Sequence, residues 1–234
     1  MRNRIQESFF GDQLQLLLML ALTFSTGVSD AVGYLGLDRV FTGNMTGNVV
    51  ILGMALAGAE NLKIWGPLVG LLAFLLGAFL AGRLMRGIPT HWNTRKTIAF
   101  LVAGLIMTIA ALLMWLQPGL VLAPWSFGIT ALLALGMGTQ AGTARHLATA
   151  DVNTVVITTT LIGLAADSRF SSAKGQLWMR RTLSIGLIGL GAVAGSLLLR
   201  VHPALGVALS AVIILAVAII GQLRLVRDST LEPM

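Results

Sequence analysis

Charge is what this sequence has least of. Asp, Glu, Lys and Arg together make up 11% of the chain, against 56% for the hydrophobic residues, and the mean hydropathy is +0.87. A soluble domain is nearer a quarter charged, because its surface must be compatible with water. A chain of 234 residues this poor in charge cannot cover such a surface, and the solvent that fits is lipid. Cysteine is absent altogether, which excludes disulfides, thiolate metal sites and cysteine nucleophiles. The three histidines, His91, His146 and His202, are scattered between apolar runs. They form no metal-ligand spacing and none falls inside a predicted span, so no metal is expected.

Catalytic motifs are missing too. There is no His-Glu-x-x-His, no phosphate-cradling glycine loop before a lysine and no Gly-x-Ser-x-Gly. No catalytic residue and no cofactor are expected, and the chain reads as a non-enzyme. Negative charge is the scarcer sign: the net charge is +7 and the pI is near 11.3. Such a balance suits nucleic acid when Lys and Arg gather on one face with aromatics between them. Here they sit in short gaps between apolar runs, the pattern of loops retained on the cytoplasmic side of a membrane. The expected partner is the lipid bilayer and not nucleic acid.

What is there is apolar length. A bilayer core about 30 Å thick needs roughly 20 apolar residues in a helix. Six segments meet that requirement, at about 14–34, 64–86, 97–117, 124–144, 182–200 and 204–223. Two further segments, 45–58 and 152–166, reach only about 21 Å at 1.5 Å per residue and fall short of crossing. The first apolar run has no small-residue cleavage site after it and is expected to be a retained span. No soluble domain is expected at either end.

Basic residues decide between eight crossings and six. With eight, the 16 Lys and Arg divide 9 inside to 7 outside, almost without bias. With the short segments dipping in and returning on the same side, only Arg39, Lys63 and Arg200 remain outside, a split of 13 to 3. The positive-inside rule selects six spans with both termini cytoplasmic. The order span, short segment, span, span then occurs twice, in 1–118 and in 119–234. With three crossings per half, the second copy enters from the opposite side, an inverted repeat of the kind common among secondary transporters. Residues 46–53 face residues 158–165 in this alignment. Gly27 to Ala31 face Gly136 to Ala141 across a one-residue gap. The expected fold is an all-α membrane protein of six transmembrane helices plus two short broken or re-entrant helices, in an inverted 3+3 repeat.

The stretch from Gly33-Tyr34-Leu35 through Val40-Phe41-Thr42-Gly43-Asn44-Met45-Thr46-Gly47-Asn48 resembles the signature of the YoaK-type bacterial membrane proteins, a family of unknown function. The pattern has an Asp after a glycine-containing helix end, then a Phe, then Thr-Gly-Asn opening a short helix. Here these are Asp30, Phe41 and Thr46-Gly47-Asn48. Gly138-Thr139-Gln140-Ala141 with Arg145, followed by Thr158 to Thr160, extends the resemblance into the second half. Thr159-Thr160 stands where a second Thr-Gly pair is expected, so the halves are not expected to work identically. The resemblance covers nearly the whole chain. It implies a six-span protein of the bacterial inner membrane and no particular substrate.

Asp30 is the sharpest candidate for function. A carboxylate in the outer part of the first span is costly unless it is paired or faces water, so proton coupling, cation coupling or substrate contact are its functional readings. The structural alternatives are that it caps backbone donors of the break after it, or sits at the interface near Arg39. Asn44, Thr46 and Asn48 follow. If 45–58 is re-entrant, Thr46 begins the short helix and points its N-terminus toward the midplane. A helix starting near Thr158 would answer it from the other side and make a site for an anion or a polar solute. The plainer reading is that these polar residues satisfy a broken backbone that lipid cannot. Gln140, Thr139, Asn153, Thr154 and Thr158, Thr159 and Thr160 are their counterparts in the second half, and threonines there are also expected to bond back to their own helix. Gly66 with Gly70, and Gly191 with Gly195, have the spacing that lets helices approach closely. The tryptophans fall near span ends, as interfacial anchors do.

These readings converge on a small transporter or channel for a small polar or anionic solute, with proton coupling through Asp30. The alternatives are a non-transporting scaffold or sensor subunit and, with less support, a membrane-embedded enzyme acting on lipid. Six spans suffice for a small pore or for half of a larger transporter, which admits a homodimer.

Overall fold

The computed structural model describes residues 2–117, 125–147, 161–162 and 178–230. Within them the regular structure is entirely helical. The elements are α1 (Arg2–Gly36), α2 (Met45–Leu56), α3 (Trp65–Leu84), α4 (Thr94–Leu116), α5 (Ser126–His146), α6 (Trp178–Val201) and α7 (Pro203–Thr230). Five stretches are long and apolar enough to cross a membrane: Gln13–Gly36, Trp65–Leu84, Thr94–Leu116, Met179–Val201 and Pro203–Arg224. The short helix α2 falls where the sequence puts the first short segment. The second, 152–166, lies outside the described residues apart from Leu161 and Ile162.

The remaining expected span corresponds to α5. At 21 residues it has the length, but Thr130, Gly136, Gly138, Thr139, Gln140 and Thr143 dilute its apolar content. The reason is its position. All six of these residues are buried, and a helix that meets protein does not need a lipid-compatible surface. The apolar stretch of α1 is also central, 72% buried, whereas that of α6 is 17% buried and faces outward.

The packing partners follow a regular scheme. α1 lies along α6 and against α7, α5 lies along α3 and against α4, and α4 lies along α7. Glycine sets the closest approaches. A Cβ on Gly27 would stand 2.1 Å from the Ile188 carbonyl oxygen of α6, and one on Gly191 2.1 Å from that of Phe24 in α1. The α3–α5 crossing is built the same way. There a Cβ on Gly77 would meet the Leu135 carbonyl at 2.3 Å and one on Gly138 the Phe74 carbonyl at 2.1 Å. Small residues are what allow apolar helices to pack backbone to backbone where lipid offers no hydrophobic driving force. Between the crossings, Met19 and Leu22 of α1, Phe100, Met107 and Met114 of α4, Leu133 and Met137 of α5 and Ile214 of α7 fill the core.

Contacts at the helix ends define two levels. At one, Asp38 meets Lys63 and Ser126, and Trp115 packs on His202 with the rings tilted by 55° and their centroids 4.7 Å apart. At the other, Gln15 donates to the Leu147 carbonyl at 2.9 Å and Thr97 donates to Gln222 at 2.8 Å. Trp92, stacked on Phe100, covers Gly221 there. Lys96 is fully buried at the start of α4, where its ammonium group donates to the carbonyls of Pro89, Thr90 and His91 and closes the α3–α4 loop.

Candidate functional site

The break after α1 is where the polar residues gather. Past Gly36 the chain turns through Arg39, whose φ is +53°, and buries Leu37 and Val40. Val40 rests against Gly66 and Gly70 of α3. That glycine pair accommodates the returning chain and α2, within one molecule. Asp38 fixes the turn from outside, pairing with Lys63 at 2.6 Å and accepting from the Ser126 hydroxyl at 2.9 Å.

Thr42, Gly43 and Asn44 then come back alongside Asp30. This residue lies six positions before the end of α1, roughly 9 Å down the helix at 1.5 Å per residue. Its Oδ1 accepts from the backbone N–H of Thr42 at 2.8 Å, of Gly43 at 2.6 Å and of Asn44 at 3.4 Å, and from the Thr42 hydroxyl at 3.3 Å. The Thr42 hydroxyl also shares a 2.8 Å hydrogen bond with that of Ser29. In a medium without water each unpaired N–H costs several kcal/mol. One carboxylate oxygen therefore resolves the donors of the break, and Asp30 has the capping role rather than a place beside Arg39.

The next residues divide the work differently from the expectation. Asn44, not Thr46, caps α2, its side chain accepting from Gly47 N at 3.4 Å. Asn48 is fully buried and pairs with both backbone groups of Phe41, accepting from its N–H at 2.8 Å and donating to its carbonyl at 2.7 Å. Thr46 is exposed and joins neither network. Phe41 stacks on Tyr34 with centroids 4.8 Å apart, and its ring lies over Gly47.

A pocket of about 360 Å³ opens between α1 and α6, walled by Asp30, Tyr34 and Phe41 on one side and by Ile188, Gly189 and Ala192 on the other. Asp30 is 8% exposed, and all its hydrogen bonds go to Oδ1. Among the described residues the second carboxylate oxygen takes none, and Asp30 is the one acidic residue in the pocket lining.

Gln140 is buried one layer away. Its Nε2 approaches the Thr26 hydroxyl at 3.3 Å and the Leu22 carbonyl at 3.5 Å, while its Oε1 has no partner among the described residues. It touches α1 beside the Asp30 cluster, since Thr26 also packs on Gly43, but it does not line the pocket. Thr139 and Thr143 bond back to the carbonyls of Leu135 and Thr139. Thr158, Thr159 and Thr160, with Asn153 and Thr154, lie outside the described residues. Among the described residues no cluster of His, Asp and Glu could hold a metal.

Sequence reasoning took Gly43 only as a turn residue and Phe41 only as a position in the family pattern, and it gave no role to Thr42, Ser29, Thr26 or Tyr34. One signal was available: Thr-Gly-Asn occurs twice in tandem, at 42–44 and 46–48. The first copy meets Asp30 through its backbone and caps α2 through its Asn; the second supplies the pairing to Phe41.

No solved structure matches the chain. The UPF0700 transmembrane protein YoaK of Bacillus subtilis (strain 168) is 31% identical over 186 residues, covering 76% of this chain and 80% of that protein. A family model described as "Protein of unknown function (DUF1275)" matches residues 18–220, which takes in α2, the Asp30 cluster and all but the ends of the bundle. The chain is thus a transmembrane protein and belongs to the DUF1275 family, that of YoaK-type membrane proteins.

Proposed function

We propose that this protein is a six-span transporter or channel for a small polar solute, with Asp30 as the group that contacts the solute or couples its movement to a proton. The observation that carries the reading is a carboxylate deep among apolar helices, at the wall of a 360 Å³ pocket, with one oxygen uncommitted among the described residues. An intramembrane carboxylate that serves only as a cap needs no cavity beside it. The geometry favours a neutral or cationic solute over an anion. The N–H groups of residues 42–44 that would attract an anion already hold the carboxylate of Asp30.

The inverted 3+3 repeat belongs to the same reading. Equating α1 with α5, α3 with α6 and α4 with α7 carries the most extensive helix contacts onto one another, α1–α6 onto α5–α3, α1–α7 onto α5–α4 and α4–α7 onto itself, whereas α6–α7 is closer than α3–α4. The re-entrant character of α2 is supported by its first turn lying at the level of Asp30 while Lys63, beyond its last, meets Asp38. A cytoplasmic location for both termini, in the bacterial inner membrane, rests on the distribution of basic residues. Enzymatic activity forms no part of the proposal, and a homodimer is compatible with it.

The test is flux. Purified protein in vesicles should accelerate the entry of a member of a panel of small neutral and cationic polar solutes over empty vesicles, and Asp30→Asn should abolish the acceleration. Folded protein that moves none of them would support the scaffold reading. Flux unchanged in Asp30→Asn would remove Asp30 from the mechanism.

A further inference from the structure

The pocket between α1 and α6 has a chemistry narrower than that of a general polar site. We infer that it binds a small organic ammonium ion with an apolar or aromatic body. The inference rests on the same pocket as the transport reading and names its ligand class. Asp30 is more than nine-tenths buried, and no Lys, Arg or His among the described residues pairs with it. A buried carboxylate without a counter-charge is costly, and Asp30 lines this pocket with one oxygen that takes no hydrogen bond from the described residues. Beside it stand the stacked rings of Tyr34 and Phe41. Aromatic faces attract cations and add to a carboxylate's pull when water is excluded.

The rest of the wall excludes other ligand classes. Ile188, Gly189 and Ala192 present no side-chain donor, and the Ser196 hydroxyl at the edge gives its proton to the Ala192 carbonyl at 2.7 Å. An oxyanion would find the Asp30 charge against it. A polyhydroxylated solute would lack partners for most of its hydroxyls. A bare metal ion needs several oxygen ligands, and one carboxylate oxygen is offered here. The volume lies at the small end of ligand pockets, which fits a compact amine.

The experiment uses three probes of one shape, benzylammonium, benzyl alcohol and benzoate, titrated by calorimetry into the purified full-length protein in uncharged detergent. Benzylammonium should bind saturably and the other two at least roughly tenfold more weakly, as loss of a charge-assisted contact predicts. Gly189 lines the pocket, and a Cβ there meets nothing within 4 Å. Gly189→Leu should therefore fill the pocket without disturbing the fold and abolish binding. Gly186→Leu, equally unobstructed but outside the pocket, should leave it intact. Asp30→Asn keeps an acceptor for residues 42–44 and should lose benzylammonium binding.

Equal binding of benzoate or benzyl alcohol overturns the inference. So does binding indifferent to Gly189→Leu, or the absence of saturable benzylammonium binding. The two proposals fail separately. Ammonium binding without flux in vesicles leaves the pocket assignment standing and removes transport. Flux of another solute that survives Gly189→Leu does the reverse.

Discussion

The two glycine crossings are the most instructive comparison within the molecule. α1 meets α6 through Gly27 and Gly191, and α5 meets α3 through Gly138 and Gly77, each so close to the facing helix that an added Cβ would stand 2.1 to 2.3 Å from a carbonyl oxygen. Three residues after Gly27 comes Asp30; three residues after Gly138 comes Ala141. The crossing therefore has no need of a carboxylate. Asp30 instead satisfies the open backbone at 42–44, which folding requires, and it also borders the pocket beside α6.

That comparison can be broken at several depths. The largest effect should come from Gly138→Val, where the added carbons meet backbone that cannot move aside. We expect a loss of about 3 kcal/mol or more, read as failure to recover monodisperse protein. Gly128→Ala in the same helix, with nothing within 4 Å, should be neutral or slightly stabilising. Asp30→Ala comes next, because it strips the acceptor from residues 42–44. A cost of about 2–3 kcal/mol follows from leaving such donors unpaired, and hydrogen exchange of these amides should quicken. Asp30→Asn should retain most of the stability, which separates the capping role from the charge.

Asn48→Leu removes both hydrogen bonds to Phe41 and should cost about 2 kcal/mol in thermal unfolding. Thr46→Ala, in the same motif but exposed, should stay within about 0.5 kcal/mol. The smallest of the effects tied to a defined contact belongs to Lys63→Ala, which leaves Asp38 its bond from the Ser126 hydroxyl. The Lys63 side chain is 52% exposed, so its pair with Asp38 contributes less than about 1 kcal/mol and the loss should shrink further in high salt.

Much of this was legible in the sequence for a simple reason. A run of apolar residues long enough to cross lipid has few other uses, so α1, α3, α4, α6 and α7 stand within a few residues of where hydropathy puts them. The break at 35–44 was legible too, from Gly43 and Gly47 and from an Asp and two Asn in otherwise apolar surroundings. The assignment of tasks within it was not. Asn44 and Asn48 share one residue type and the same Thr-Gly context, and either suits a helix start by propensity. Only the path of the returning chain puts Asn44 at the cap and Asn48 beside Phe41.

By itself, then, the sequence determined the solvent, the helical class and the approximate extent of each long helix, because these depend on local composition summed over about 20 residues. It also marked Asp30 as a residue needing a partner. The tertiary structure decided which partner, since the donors lie 12 to 14 residues onward and face Asp30 only after the chain has turned and come back. It decided as well that α6 stands across from Asp30 and leaves a pocket there. Contacts between helices distant in sequence arise from shape and close approach, and neither hydropathy nor spacing along one helix records them.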